Sequence, residues 1–92
     1  MIDAGLPKAP DPPAFGCIVY VRRTDAGVVA RVANLEGLQV EASDERAALS
    51  KLVPLFRERV GQFMQRGEEV PWIVPPLEKA EDELRRFLPV HL

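Results

Sequence analysis

Residues 34 to 49 read Asn34-Leu35-Glu36-Gly37-Leu38-Gln39-Val40-Glu41-Ala42-Ser43-Asp44-Glu45-Arg46-Ala47-Ala48-Leu49. In the first half of this stretch, apolar Leu38, Val40 and Ala42 alternate with polar residues, which is the pattern of a half-buried β-strand. Ser43 then offers a side-chain hydroxyl that can cap a helix, and the two acidic residues that follow it suit the positive end of a helix dipole. The stretch therefore predicts a strand that leads directly into a helix.

Two more strands are predicted before this junction. Residues 16–23 and 28–33 are rich in β-branched side chains, and residues 24–27 read as a hairpin loop between them. Connections this short favour an antiparallel meander. The first strand is apolar on both faces, with Ile18 and Tyr20 on the second one. We expect the helix to cover one face, and either the C-terminal segment or a second copy of the chain to cover the other.

A long amphipathic helix is predicted from about residue 44 to residue 65. Burial of its apolar stripe outweighs the roughly 3 kcal/mol that Pro54 costs inside a helix, so we predict one helix kinked at Pro54 rather than two helices. Gly67 is the predicted C-terminal cap. The stripe consists of Leu49, Leu52, Val53, Phe56, Val60, Phe63 and Met64.

The C-terminal part is predicted to add a short strand and a second helix. Residues 70–74 read as an edge strand because they contain Pro71. Residues 77–88 read as a helix that ends before Pro89 and buries Leu77, Ala80, Leu84, Phe87 and Leu88. At the other end, residues 1–14 hold four prolines and read as a flexible arm, or alternatively as an arm that orders on a partner.

The whole pattern predicts a single α+β domain over residues 15–92, with a mainly antiparallel sheet of three to four strands packed against one long kinked helix, plus the short C-terminal helix. The chain has 92 residues, a formal net charge of −2 and one cysteine. This charge argues against electrostatic binding to nucleic acid. Neither a secretory signal nor an apolar run of the ~20 residues that cross a bilayer is recognisable, so we expect a cytoplasmic protein that does not bind membranes.

Three short motifs follow one another along this pattern. They are Leu35-Glu36-Gly37-Leu38 before the third strand, Ala42-Ser43-Asp44-Glu45-Arg46-Ala47 at the helix start, and Gly67-Glu68-Glu69-Val70-Pro71 at the helix exit. Together with the element order, they resemble the HicB antitoxin domain over residues 16–74. That domain has a pared-down ribonuclease-H-like topology. Glu36 and Leu38 stand where the family has proline and cysteine, and no DNA-binding segment follows.

The resemblance implies a non-enzymatic module that binds a protein, namely a small basic RNA-cleaving toxin, and neutralises it by occlusion. The alternative is an orphan domain of the same fold that associates with itself, serves a structural or regulatory role, and has no toxin partner. Trp72, Arg22, Arg23 and Tyr20 are the predicted partner contacts, although Trp72 could instead fill the core. We also expect a homodimer, with the second helix packed across a two-fold axis.

Catalytic, metal and cofactor sites are not predicted. A ribonuclease-H-like fold invites a search for clustered carboxylates, but Asp25, Glu36 and Glu41 are expected to be solvated and apart, which disfavours a degenerate nuclease. His91 reads as a frayed terminal residue. Cys17 reads as a core residue rather than a reactive thiol, because burial in an apolar strand raises the pKa of a thiol.

Overall fold

Residues 14–92 are described by a computed structural model, and they form one antiparallel sheet and one helix. The strands are β1 (Ala14–Thr24), β2 (Gly27–Val32), β3 (Gln39–Ala42) and β4 (Glu83–His91), and the helix is α1 (Glu45–Gln65). The sheet order is β3-β2-β1-β4, and each neighbouring pair is antiparallel. The predicted α+β class and antiparallel sheet are confirmed. Apart from Ala14, which begins β1, the predicted arm lies outside the described residues.

β1 is the central strand, because β2 pairs along one of its edges and β4 along the other. Its alternation separates two faces, as predicted. Cys17, Val19 and Val21 point toward α1 and join the main core, whereas Ile18 and Tyr20 lie on the opposite face. The remaining core residues come from the other strands, the loops and α1: Val28, Ala30, Val32, Leu35, Leu38, Ala48, Leu52, Phe56, Val60 and Val90.

The N-terminal cap of α1 is Asp44, not Ser43 as the sequence suggested. Asp44 has extended backbone angles, and its carboxylate accepts a hydrogen bond of 2.8 Å from the N–H of Ala47. A carboxylate in this position satisfies a free helix N–H and also meets the positive end of the helix dipole. The prediction erred by one residue because two neighbouring side chains could both serve as caps.

α1 continues through Pro54, whose side chain is exposed, so the prediction of one helix rather than two is confirmed. A kink at Pro54 stays a prediction. At the other end, Gly67 follows the cap residue Arg66 with a φ of 70°. Two hydrogen bonds back to the carbonyls of the last turn then close the helix, as expected for a glycine in this position. Met64, predicted in the buried stripe, is exposed in that last turn.

The predicted helix over residues 77–88 is wrong, because its second half belongs to β4 and its first half has no helical structure. β1 is buried on both faces, and a helix here would leave the backbone groups of its second edge unpaired. Pairing in the register Cys17↔Leu88 and Val21↔Leu84 satisfies them. A helix of this length is also marginal by itself. The predicted dimer across a second helix is therefore wrong in its geometry.

Residues 70–74 do not form the predicted edge strand, and the sheet ends instead at β3 and β4. This segment instead crosses the end of the sheet and reaches the face opposite α1. The N–H of Ile73 donates to the carbonyl of Asn34 (3.0 Å), and the N–H of Leu77 donates to that of Ala33 (2.9 Å). Tyr20 donates its hydroxyl to the carbonyl of Leu77 (2.8 Å). Of the two predicted covers for the second face, the C-terminal segment thus covers Tyr20.

Candidate protein-interaction surface

Exposed and half-buried apolar side chains lie along β4 and the flank of α1 that faces it. Leu84 and Leu88 lie on the side of the sheet that faces α1, because they stand opposite core residues of β1. Phe87 lies on the other side, opposite Ile18. Leu84 is 55% exposed and Phe87 is 62% exposed. We call this region the β4 margin: Arg46, Leu49, Ser50, Val53, Leu84, Phe87 and Leu88.

A groove of about 530 Å³ runs between α1 and β4 on the helix side of this margin. A second cavity of about 380 Å³ lies beneath the start of α1. Glu45 lines both, and its ion pair with Arg86 (2.8 Å) lies at the second cavity. The groove is lined by three apolar and two charged residues together with a serine, whereas four of the seven residues of the second cavity are charged. Volumes of this size accommodate bound side chains or small molecules. The groove is lined by Glu45, Arg46, Leu49, Ser50, Val53 and Leu88.

The outer edge of β4 presents backbone groups that face away from the sheet. Ile18 of β1 uses its N–H on the side chain of Asn34 (3.1 Å) and its carbonyl on the N–H of Ala33 (2.7 Å), so both groups point toward the β2 side. Phe87, which stands opposite Ile18, must therefore point its own backbone groups outward. This direction alternates along a strand, so the residues two before and two after Phe87 also point outward. One of them is Pro89, which is typical of an edge strand because it has no N–H to donate.

A charged cluster on the face opposite α1 fastens the segment before β4 to the sheet. Arg31 forms two hydrogen bonds with the carboxylate of Glu83, at 2.7 and 2.8 Å, and its guanidinium lies 5.2 Å from the ring centre of Tyr20. These hydrogen bonds lower the pKa of Glu83 to about 2 and raise the pKa of Arg31. Both carboxylate oxygens and the guanidinium form bonds within the chain. The cluster therefore stabilises the position of this segment against the sheet.

The predicted partner contacts do not come together at one surface. Tyr20 is 5% exposed and bonds within the chain, and the ring of Trp72 packs at 5.9 Å against the rings of both Phe15 and Phe56. Arg22 and Arg23 lie at the hairpin end of β1. Arg22 is 4.0 Å from the carboxylate of Asp82, and Arg23 lines the second cavity. Their role in partner binding stays a prediction.

The remaining candidate residues are scattered over the fold. Cys17 is buried beneath α1, and burial raises the pKa of its thiol to about 12. Within residues 14–92, no three His, Cys, Asp or Glu side chains are grouped so that they could hold a metal ion. In the same part of the chain, no helix combines the length and apolar character that crossing a membrane requires.

Neither a protein family, nor a curated protein, nor a solved structure matches this chain. The surface itself therefore has to indicate what the protein binds. The sequence pattern predicts that Leu84, Phe87 and Leu88 lie on a buried helix face, whereas Leu84 and Phe87 are exposed on β4 and Leu88 is half-buried. Pro89 was the available signal, because a proline followed directly by Val90 and His91 at the end of an apolar run is compatible with an edge strand.

Proposed function

We propose that this protein is a non-enzymatic protein-interaction module that binds a partner protein in the groove between α1 and β4. The groove carries the proposal, because exposed apolar side chains that line a concavity are the usual mark of a binding surface. Leu49, Val53 and Leu88 supply the apolar lining. Arg46 and Ser50 are exposed on the rim. Apolar side chains of a partner could enter the groove without any change in the core.

The sequence resemblance supports a more specific partner, a small RNA-cleaving toxin that the module neutralises. Occlusion requires only that the bound module blocks the toxin's access to RNA, so no catalytic residue is needed. The groove rim carries Glu45, which pairs with Arg86 beside the groove, and the exposed Arg46. This rim has no excess of acidic side chains that would select a basic protein. The toxin part of the proposal therefore rests on the resemblance, and the binding part rests on the groove.

Blocking the groove tests the binding proposal. Ser50→Trp places a large side chain on the rim without removing a core residue, because Ser50 is exposed. The matched control is Gln62→Trp, an exposed position about 18 Å further along α1 at 1.5 Å per residue. The wild type and both variants are used as bait in extract from the native host, and captured proteins are identified by mass spectrometry. We expect the wild type and Gln62→Trp to capture a stoichiometric protein that Ser50→Trp does not retain.

The captured protein then decides the toxin question. A small basic protein that cleaves RNA, and stops cleaving it when one equivalent of the module is added, would support antitoxin-like occlusion. Capture that is equal for all three baits would contradict the groove as the binding site. Recovery of nothing except the bait itself would favour the alternative function, a self-associating domain with no toxin partner. The free edge of β4 is the specific observation that favours this second function.

A further inference from the structure

The outward-facing backbone of β4 is satisfied at both ends and open in the middle. At one end, the N–H of Glu83 donates to the carbonyl of Ala80 (3.1 Å), and its carbonyl accepts from Lys79 (2.8 Å). At the other end, the carbonyl of His91 accepts a hydrogen bond of 3.0 Å from Arg57. Between these ends, the carbonyl of Arg85 accepts a hydrogen bond of 3.2 Å from the guanidinium of Arg86, whereas the outward N–H and carbonyl of Phe87 bond to no other described residue. The open stretch is therefore centred on Phe87.

We propose that this open stretch pairs with β4 of a second copy of the chain, antiparallel, about a two-fold axis at Phe87. In this register the two Phe87 residues exchange both backbone hydrogen bonds, as residues of a hydrogen-bonded antiparallel pair do. On each side of them, the N–H of Arg85 meets the carbonyl of Pro89 in the other copy. Pro89 contributes only its carbonyl there, so its missing N–H leaves one bond unformed on each side. The two sheets become one continuous sheet of eight strands.

The side chains of β4 fit this register. The ring of Phe87 lies over Gly16 of β1, where a Cβ atom would be only 2.8 Å from the ring, so the ring leans inward and leaves the outer edge of β4 uncovered. The two-fold axis places two uncharged Phe87 residues directly across from each other, so no like charges meet at the centre of the pair. On the helix side, Leu88 stands opposite Arg86 of the other copy, whose charge is already paired with Glu45.

Neighbouring registers are less favourable. A two-fold axis at Arg86 would place two arginines directly opposite each other, which destabilises a strand pair. An axis at Leu88 would place Pro89 opposite Phe87 of the other copy, so that both central pairs would lose a hydrogen bond. The axis at Phe87 keeps the arginines apart and keeps both hydrogen bonds of its central pair, so that the bonds Pro89 cannot form lie at the flanks. Self-complementarity of this kind is what a two-fold interface between identical chains requires.

This dimer goes beyond the partner-binding proposal and does not depend on it. It uses the outer edge of β4 and the ring of Phe87 on the face opposite α1. The groove lined by Leu49 and Val53 lies on the helix side of the sheet. One assembly can therefore bind its own copy at the edge and a different protein in the groove.

Disulfide trapping tests the register. In a hydrogen-bonded antiparallel pair the Cα atoms lie about 5.5 Å apart, which is within the range of a disulfide. Phe87→Cys should therefore form a covalent dimer of twice the 10.2 kDa chain mass under mild oxidation. The matched control is Arg85→Cys, on the same strand and face. Its two copies would be offset by about 13 Å along the strands, too far for a disulfide. The native Cys17 is buried and common to both variants.

Equal trapping of the two cysteine variants, or trapping of neither, would overturn the proposal. Because Phe87 also covers Gly16, sedimentation supplies a second measurement on the unmodified edge. The wild type should have twice the chain mass, and Phe87→Asp should weaken the dimer by about tenfold or more, whereas Val74→Asp at a remote exposed position should not. A monomeric wild type that still captures a partner would overturn the dimer alone. A dimer whose partner capture does not depend on the groove would overturn the binding proposal alone.

Discussion

Glu83 is the one charged residue that the described part of the chain buries, and its partners explain how the fold accommodates it. Arg31 binds both carboxylate oxygens, and the N–H of Ala80 donates a further hydrogen bond of 2.8 Å. A buried carboxylate without such partners would destabilise the folded state. The same contacts hold the beginning of β4 against β2, so this residue links local electrostatics to the position of the edge strand.

These contacts predict an acid-sensitive component of stability. The pKa of Glu83 falls from 4.5 to about 2 on folding, chiefly through the hydrogen bonds with Arg31. A lowered pKa stabilises the folded state above pH 4.5, and this contribution is lost as the pH falls from 4.5 toward 2. Glu83→Gln should lower the free energy of unfolding at pH 7 by about 1–3 kcal/mol and flatten its decline in that window. Urea titrations at several pH values measure both effects.

Glu81→Gln is the matched control for this prediction. Glu81 is exposed and forms no ion pair with another described residue, so its variant should keep the pH dependence of the wild type. If Glu83→Gln and the wild type lose stability in parallel between pH 4.5 and 2, the acid sensitivity comes from other carboxylates. The pair with Arg31 would then contribute no measurable stability.

The thiol of Cys17 should be unreactive in the folded protein. It lies in the core beneath α1, and burial raises its pKa to about 12, so the reactive thiolate is scarce at neutral pH. We expect a thiol reagent to modify Cys17 only as fast as the protein unfolds. The rate should therefore rise steeply across the urea transition. Rapid labelling of the protein without denaturant would show that the thiol reaches solvent in the folded state.

At the scale of elements, the start of α1 separates two residues that look equivalent in the sequence. The carboxylate of Asp44 accepts a hydrogen bond from the N–H of Ala47, whereas the exposed side chain of Ser43 bonds to no other described residue. Asp44→Ala should therefore lower the free energy of unfolding by about 1 kcal/mol, and Ser43→Ala should change it by much less. Chemical denaturation of both variants measures the difference. A larger decrease in the free energy of unfolding for Ser43→Ala would show that Ser43, and not Asp44, caps the helix.

Strands and helices that a pattern within one segment defines could be predicted from the sequence. A strand that forms because it pairs with a distant segment could not. Alternating apolar residues define β1 and β2, and the apolar stripe around Leu52 and Phe56 defines α1, because each pattern lies within one segment. β4 has no such pattern, since Leu84, Phe87 and Leu88 also suit a helix. Its conformation follows from the unpaired second edge of β1, which lies more than sixty residues earlier in the chain. Because the sequence predicts a helix over residues 77–88, the β4 margin could not be predicted either.

At the scale of the whole molecule, residues 66–82 connect the two faces of the sheet. After leaving α1, this segment passes the end of the sheet, reaches Tyr20 on the opposite face and enters β4. It has no regular secondary structure, so side chains must hold it in place. Trp72 does so at the crossing point, because its ring packs against Phe15 of β1 and Phe56 of α1. The position of β4, and with it the proposed interfaces, depends on this anchor.

Removing the ring of Trp72 therefore tests the architecture as a whole. Trp72→Ala should lower the free energy of unfolding by about 2–4 kcal/mol, because two ring contacts are lost next to the core. Trp72→Phe keeps an aromatic ring and should lose clearly less, so the pair separates packing from other effects. Urea denaturation gives both values. The competing interpretation from the sequence, an anchor for a partner, predicts unchanged stability and weaker partner capture for Trp72→Ala. A lower free energy of unfolding for Trp72→Ala would therefore assign the ring to internal packing. An unchanged value would contradict that role.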